Sequence, residues 1–303
     1  MSKPYPGRWV LRTLLFTAGH INKYIRKAFT SNADCIVLDL EDAVPDGSKE
    51  FARNNIVENA VKFKTDNYPV MVRINPMESG LTLLDLDTVA CREIDGFIYP
   101  KAYCADDVKA FDAQLTLKEK TLGLEHGHFD IVALIETPKA VLNAYEIAIA
   151  SPRVVGLLFG SEDFLTDIEG FHGPEGRSIL CPRHLISMAA RAAGIVPIDT
   201  PYVHVRDDEG LRAHITQASE LGYEGMLVMS PRQIEIAREA YTLSEEKVTR
   251  AREMVRLAEE AAEANRGIAV SGGVFISPPT LKRSKNLLRR YEAIKAFEKR
   301  RGF

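Results

Sequence analysis

Carboxylate side chains close three strand-like apolar runs of the sequence, so several negative charges are expected to meet at one place in the fold. The runs and their closing carboxylates are CIVLDLED (35–42, with Glu41 and Asp42), IVALIE (131–136, with Glu136) and VVGLLFGSED (154–163, with Asp163). Carboxylates that converge at one edge of a sheet repel one another unless a cation neutralises them. Mg²⁺ takes octahedral oxygen ligands, commonly one or two protein carboxylates with waters and substrate oxygens. The pattern therefore predicts a Mg²⁺ site, with Mn²⁺ as a second candidate metal.

The alternative is that these carboxylates only cap helices or pair with basic side chains. A fourth run, VMVRIN (70–75), carries Arg73, whose planar guanidinium group suits a carboxylate ligand. Directly after Glu136, Thr137 and Pro138 are a typical N-cap and first helical residue, so the strand is expected to stop at the glutamate. Three strand ends with carboxylates, beside one with an arginine, favour a functional site.

Eight apolar, β-branched runs alternate with helical segments over about the first 235 residues. They are near-continuous, as in parallel strands that are buried on both faces. Eight βα units fit an α/β fold of the TIM (β/α)8 barrel type, whose active site lies at the carboxyl ends of its strands. A doubly wound open sheet is the alternative, but no Gly-rich phosphate turn follows any run, which favours the barrel. The runs lie at 12–18, 35–41, 70–75, 96–101, 131–136, 154–160, 195–203 and 225–231.

The sequence pattern becomes purely helical after the last run, which predicts two domains. Residues 1–235 would form the catalytic barrel, and residues 236–303 would form a C-terminal helical extension. The first helix of the extension is expected to begin at a capping box made by Thr242 and Glu245. A Gly-, Ser- and Pro-rich link (268–282) and a basic helix follow.

Composition excludes several classes of protein. The chain is 46% apolar and 27% charged, as in globular proteins, and no apolar run reaches the length of a membrane span. A net charge of −3 gives no general reason to expect nucleic acid as a partner. The four cysteines are far apart without a CxxC spacing, which argues against a zinc site or a disulfide framework. A cytoplasmic location is expected, with no membrane partner.

The motifs resemble those of the CitE-like branch of the HpcH/HpaI aldolase superfamily, which includes the citrate lyase β subunit, malyl-CoA lyase and citramalyl-CoA lyase. DLEDAV and the pair LIETPKAV and LLFGSEDF are the most specific segments, and the resemblance covers nearly the whole chain. It implies a TIM barrel with a C-terminal extension that acts as a lid and reaches a neighbouring subunit, in a homotrimer or homohexamer. Other matching segments are RTLLFTAGHINKYIRKA, ADCIVLDLEDAVP, VMVRIN, YPKA, ARAAGIVPIDTPYVHVRDDEGL and GYEG.

The resemblance also implies roles for individual residues. Glu136 and Asp163 correspond to the Mg²⁺ ligands, and Arg73 corresponds to a catalytic clamp on the substrate or product carboxylate. Glu41 and Asp42 resemble a catalytic pair that holds metal-bound water. In such enzymes the metal chelates an α-oxo or α-hydroxy acid, and a retro-Claisen cleavage releases an acyl-CoA enolate. The residues expected to bind substrate or cofactor are Arg12, Lys27, Arg73, Gly160 and Ser161.

Ala18 stands where relatives have a proline, and three further positions depart from the family pattern. Met226 and Ser230 stand where relatives have a lysine and a histidine, at the ligand-facing end of the eighth strand. Ser277 stands where the CoA lyases have a lid aspartate that protonates the enolate. A serine hydroxyl is too weak an acid to replace a carboxyl group in this role at neutral pH. The metal half of the site is therefore expected to be intact and the thioester half to be altered.

The sequence predicts an enzyme, namely a metal-dependent carbon–carbon lyase. It would cleave a 3-hydroxyacyl thioester of the malyl-CoA or citramalyl-CoA type to an α-oxo acid and an acyl-CoA, so CoA would enter as part of the substrate. One alternative is an aldolase that acts on a free hydroxy or oxo acid, and another is a thioester hydrolase. Two further alternatives remain. The chain could be a subunit of a citrate lyase complex that acts on an acyl carrier protein thioester, or a barrel retained for binding.

Overall fold

Eight parallel strands close into a barrel in chain order, and β8 pairs with β1 to complete it. The computed structural model describes residues 9–65, 69–173, 176–263, 270–271 and 274–302. A strand coincides with each predicted run, which confirms the TIM (β/α)8 architecture. The strands are β1 (Thr13–Ala18), β2 (Cys35–Asp39), β3 (Val70–Arg73), β4 (Gly96–Tyr99), β5 (Asp130–Ile135), β6 (Val154–Phe159), β7 (Val196–Asp199) and β8 (Gly225–Val228).

Strand alternation decides which side chains reach the barrel interior. Leu38 and Leu40 pack in the large apolar core that joins the strands to the helices. Because successive side chains point to opposite faces, Asp39 and Glu41 point to the inner side. In the next strand, Arg73 is the register partner of Asp39. The pleat and the register together therefore place this arginine beside two carboxylates.

Helices surround the strands and begin near the mouth of the barrel. The predicted helix start after Glu136 is confirmed, since the Thr137 side chain accepts a hydrogen bond from the Ala140 N–H and Pro138 is the first helical residue. The helices of the barrel unit are α1 (Asn22–Phe29), α2 (Lys49–Phe63), α3 (Thr82–Val89), α4 (Ala105–Leu122), α5 (Pro138–Leu142), α6 (Ala144–Ile149), α7 (Ser161–Asp167), α8 (Arg177–Ala193), α9 (Asp208–Glu220) and α10 (Pro231–Tyr241).

The chain divides into two compact units, with the boundary between Tyr241 and Thr242. The barrel unit is Leu11–Tyr241, and Trp9 and Val10 group with the second unit. The boundary predicted at residue 235 falls inside α10, because that helix completes the eighth βα unit.

The second unit contains the two predicted helices, α11 (Glu245–Glu263) and α12 (Pro278–Arg301), which pack against each other. The expected capping box is not formed. Ser244 is the N-cap of α11 instead, because its Oγ accepts a hydrogen bond from the Lys247 N–H at 3.4 Å.

The predicted link between the two helices contains short strands that the sequence pattern did not indicate. β9 (Val270–Ser271) and β10 (Val274–Phe275) pair in antiparallel fashion. Residues 268–269 and 272–273 of the link lie outside the described residues. No helix in the described ranges is long and apolar enough to cross a membrane. All four cysteines are free thiols.

Candidate active site

The mouth of the barrel brings together five of the residues singled out in the sequence. They lie at the carboxyl ends of β2, β3, β5 and β6. Arg73 is in ion-pair contact with two of the acids, and Asp163 is close enough to Glu136 to shift its pKa. The five residues are Glu41, Asp42, Arg73, Glu136 and Asp163.

Glu136 is the most deeply buried of these acids, with 1% of its surface exposed. Its Oε1 accepts a hydrogen bond of 2.8 Å from the main-chain N–H of Lys101. Burial, and after it the negative charges of Glu41 and Asp163, raise the pKa of Glu136 from 4.5 to about 8. The deprotonated carboxylate is therefore costly at neutral pH, and a cation beside it would restore the charged form.

Gly160 makes room for the Glu136 side chain. A Cβ atom at this position would lie 3.0 Å from the Oε2 of Glu136 and 2.8 Å from its Cβ, and the second distance is shorter than real Cβ atoms show. The Gly160 N–H continues the ladder to β5 by donating to the Ile135 carbonyl oxygen at 2.9 Å. Gly160 therefore leaves the space that the Glu136 side chain occupies, and its role in ligand binding stays a prediction.

Ser161 is completely buried, and its hydroxyl group is already bonded. Its Oγ accepts a hydrogen bond of 2.6 Å from the Oγ1 of Thr200, the residue directly after β7. The Ser161 N–H donates to the same Thr200 oxygen at 3.2 Å. These bonds anchor the start of α7, two residues before Asp163, and the role of Ser161 in substrate binding stays a prediction.

Arg73 is held by Asp39 along one edge of its guanidinium group. The Nε–Oδ1 distance is 2.6 Å and the Nη2–Oδ2 distance is 2.7 Å, and Asp39 is 1% exposed. On the other side, Nη1 lies 2.8 Å from Glu41 Oε2 and 3.5 Å from Asp42 Oδ2. The ring of Phe16 lies under the guanidinium carbon at 5.2 Å. The end formed by the two Nη atoms is the edge at which a ligand carboxylate could bind.

Glu41 is a buried acid that titrates near neutral pH. Burial raises its pKa from 4.5 to about 7; the Arg73 charge opposes this shift, and the carboxylates of Asp42 and Asp39 add to it. Its close contact with Arg73 lacks the geometry of a hydrogen bond. A carboxyl group with such a pKa can accept or return a proton at physiological pH. Asp42 differs, because its side chain is 65% exposed.

Lys101 was not singled out from the sequence, yet it lies in this mouth. It follows β4 by two residues and has a left-handed backbone with φ of 49°. A residue with a Cβ atom in this conformation costs about 1–2 kcal/mol relative to right-handed backbone. The N–H of this strained residue is the one that donates to Glu136. A lysine directly after a strand, in the segment YPKA, is the sequence signal that could have identified it.

Lys49 is a second residue that sequence reasoning missed. It forms hydrogen bonds to the main chain just after β2. Its buried ammonium group donates to the carbonyl oxygens of Leu40 and Glu41 and to the Asn75 side chain, at 2.9, 3.1 and 2.8 Å. These three bonds account for all three of its protons. Lys49 therefore fixes the main chain that carries Glu41.

Two residues predicted to bind ligand lie elsewhere. Arg12 precedes β1, at the amino-terminal end of the barrel, and its Nε and Nη2 pair with the two carboxylate oxygens of Asp34 at 2.7 and 2.9 Å. Because both side chains are buried at the end opposite the mouth, the predicted role of Arg12 in substrate binding is corrected to a structural one. Lys27 is exposed in the last turn of α1, and no described contact joins it to the mouth. Its role stays a prediction.

The three departures from the family pattern have different surroundings. Met226 is fully buried in the core between strands and helices, so it does not face a ligand as the sequence suggested. Ser230 follows β8, and its buried Oγ has no hydrogen-bond partner among the described residues. Ser277 is the N-cap of α12, where its Oγ accepts from the Thr280 N–H at 3.3 Å. An aspartate would serve equally well as this cap.

The donor set fits a hard divalent cation held by few protein ligands. Within the ranges that the structure describes, no group of three or more His, Cys, Asp or Glu side chains could hold a metal ion. Mg²⁺ commonly uses one or two carboxylates and completes its shell with water and substrate. Glu136 and Asp163 supply that number, and a cation beside them would offset the burial and the negative charges that raise the pKa of Glu136.

A family model, curated relatives and solved structures all relate this chain to the same family. The model of the HpcH/HpaI aldolase/citrate lyase family matches residues 12–231. The β subunit of citrate lyase from Haemophilus influenzae is 33% identical over 92% of this chain and 96% of its own length. Mitochondrial citramalyl-CoA lyase from Mus musculus is 30% identical over 94% and 87%. The crystal structure of CitE from Mycobacterium tuberculosis, in complex with magnesium, acetoacetate and coenzyme A, is 28% identical with a TM-score of 0.73 over 94% and 99%.

Proposed function

The chain belongs to the HpcH/HpaI aldolase/citrate lyase family, and we propose that it is a Mg²⁺-dependent lyase that cleaves a 3-hydroxyacyl-CoA of the malyl or citramalyl type. The products would be an α-oxo acid and an acyl-CoA. The observation that carries this proposal is the buried Glu136 beside Asp163, at the same mouth as Arg73. Together they supply ligands for a divalent cation and a donor for a carboxylate.

In this proposal the chain's own residues bind and orient the acid part of the substrate. Arg73, oriented by Asp39, binds the carboxylate at the edge formed by its two Nη atoms. Glu136 and Asp163 would hold the cation, which supplies Lewis-acid polarisation of the oxygen that becomes the carbonyl. Glu41, with a pKa raised to about 7 by burial, accepts the hydroxyl proton as the carbon–carbon bond breaks. The bonding electrons pass to the acyl-CoA fragment, which takes up a proton to complete the reaction.

The experiment that tests this function identifies the products by mass spectrometry. Purified protein with Mg²⁺ is incubated with racemic malyl-CoA, citramalyl-CoA and the corresponding free acids, with and without EDTA. We expect glyoxylate or pyruvate together with an acyl-CoA, and no product with EDTA. The Glu136→Gln variant should be inactive, whereas Asp167→Asn, at the exposed far end of α7, should be as active as the unmodified protein. Products in EDTA, or from Glu136→Gln, would contradict the metal assignment.

A second candidate function is that of a subunit that acts on an acyl carrier protein thioester. It is favoured by one specific observation, that the Haemophilus influenzae relative is named as a subunit of citrate lyase. The same assay separates the candidates. Turnover of CoA esters by the isolated chain supports the stand-alone enzyme, whereas turnover only with an acyl carrier protein thioester supports the subunit. Free CoA with an intact hydroxy acid would instead identify a thioester hydrolase.

A further inference from the structure

Lys101 fills the position in the mouth between the arginine of β3 and the glutamate that follows β5. The barrel order places β4 between β3 and β5, so a residue just after β4 lies between Arg73 and Glu136 around the rim. We propose that Lys101 has two separable tasks. Its main chain orients Glu136 for Mg²⁺, and its ammonium group binds the carboxylate of the α-oxo acid together with Arg73. This inference rests on the proposed function.

The main-chain task follows from the contact with Glu136. The Lys101 N–H donates to Oε1 at 2.8 Å, in a backbone with φ of 49°. On the other side, the missing Cβ of Gly160 leaves the space that Oε2 occupies. The hydrogen bond to Oε1 and the close packing of Gly160 against Oε2 together fix the orientation of the Glu136 carboxylate. Groups that orient a metal ligand in this way usually affect metal affinity almost as strongly as the ligand itself.

The side-chain task follows from the residue type. If only the N–H were needed, glycine would adopt this left-handed backbone with less strain, since it has no Cβ atom. Strained backbone of this kind concentrates at functional sites, which makes the side chain that is kept there a candidate for function. Lys101 is a long cationic side chain at the rim of a site for a carboxylate ligand. Binding that carboxylate is the function that we assign to it.

The charges around Lys101 support the same task. No carboxylate of the described residues forms an ion pair with its Nζ, whereas Arg73 already has one guanidinium edge bound to Asp39. The Lys101 charge also lowers the pKa of Glu41, so the ammonium group acts on the cluster at the mouth. A ligand carboxylate between the two basic side chains would give Lys101 its partner.

Three variants separate the two tasks. Lys101→Asn removes the charge but keeps a residue that tolerates left-handed backbone, and Lys101→Val disfavours that backbone as well. Lys101→Arg keeps the charge. The exposed Lys109 on α4, changed to Met, is the control for loss of a lysine charge outside the mouth. Each protein is titrated calorimetrically with Mg²⁺ alone, and then with oxaloacetate and with pyruvate at saturating Mg²⁺, after circular dichroism has shown that it is folded.

We expect Lys101→Asn to bind Mg²⁺ within about threefold of the unmodified protein and to bind the oxo acids about 10- to 100-fold more weakly, the usual effect of losing a charged hydrogen bond. Lys101→Val should also lose about 10- to 100-fold in Mg²⁺ affinity. Lys101→Arg should retain most of the oxo-acid affinity, and Lys109→Met should change neither.

Two results would overturn the inference while the proposed function stands. Unchanged Mg²⁺ affinity in Lys101→Val would refute the main-chain task. Unchanged oxo-acid affinity in Lys101→Asn would refute the side-chain task. Absence of Mg²⁺ binding by the folded, unmodified protein would instead refute the proposed function, and this inference with it.

Discussion

Gly160 lies so close to Glu136 that a Cβ atom added to it would be 2.8 Å from the Cβ of the glutamate. Gly160→Ala therefore has to displace the carboxylate or the start of α7. We expect the free energy of unfolding to fall by about 1–3 kcal/mol, as for other overpacked sites. Mg²⁺ affinity should fall by about 10- to 100-fold, because the displaced carboxylate no longer points at the cation. Chemical denaturation and Mg²⁺ titration measure the two effects.

Gly47→Ala is the matched control for this substitution. A Cβ atom at Gly47 would have no neighbour within 4 Å, so the same chemical change meets open space. Stability and Mg²⁺ affinity should both stay close to those of the unmodified protein. Equal behaviour of the two variants would mean that Gly160 is not needed to place Glu136.

The pKa of Glu136 predicts how stability without metal depends on pH. Burial, with the charges of Glu41 and Asp163, raises this pKa from 4.5 to about 8 in the folded protein. The folded state then binds the proton more tightly than the unfolded state, so the stabilisation is complete below about pH 4.5 and is lost as the pH rises through about 8. Glu136→Gln removes this dependence, because an amide does not titrate in this range.

Denaturation in EDTA at several pH values tests the prediction. Between pH 5 and 8.5 the unmodified protein should lose at least about 1.4 kcal/mol relative to Glu136→Gln, the equivalent of one pKa unit. Saturating Mg²⁺ should cancel this loss, because the cation binds the deprotonated carboxylate. Parallel pH profiles for the two proteins would show that Glu136 is not the titrating group.

The sequence predicted the eight strands and the acids at their ends, because both depend on local patterns. Buried parallel strands are continuous apolar runs, and the break at Thr137 and Pro138 fixes the end of one of them. The lysines were missed for the opposite reason. The bonds of Lys49 depend on contacts with Asn75, 26 residues away, and the left-handed backbone of Lys101 is not specified by its residue type.

The sequence patterns also did not predict the directions of individual side chains. Met226 was expected to face a ligand, but the pleat turns it toward the helices. The resemblance placed Ser161 among the ligand-binding residues, and the structure shows its hydroxyl group buried against Thr200. Position along the chain therefore indicated which residues lie near the ends of the strands, whereas the direction of each side chain depended on tertiary packing.

Arg12 and Arg73 provide a direct test of which arginine binds the ligand. Both pair with a buried aspartate, but only Arg73 lies at the carboxyl ends of the strands. Arg12→Lys should lose about 1.5–3 kcal/mol of stability, because lysine cannot reproduce the paired hydrogen bonds to Asp34. Its KM should not change. Arg73→Lys should raise KM, or weaken oxo-acid binding, by about 10- to 100-fold. A raised KM in Arg12→Lys would restore the original expectation for this residue.

We propose that the C-terminal extension contacts a neighbouring subunit of a homotrimer or homohexamer. Its helix α12 ends with Lys299, Arg300 and Arg301 in the last turn, a cluster of positive charge that would attract an anionic surface. A chain that stops after residue 270 keeps the barrel carboxylates, so its Mg²⁺ affinity should be unchanged.

Turnover of the shortened chain should fall on the order of 100-fold, the effect of misplacing groups that complete a site. Light scattering should show a smaller assembly than that of the full chain. Because the truncation also uncovers buried side chains of α11, such as Val248 and Met254, a milder variant is needed. Lys299→Glu with Arg300→Glu reverses exposed charges and leaves the buried residues of α12 in place. Full activity and an unchanged assembly mass in both proteins would show that the extension takes no part in the active site.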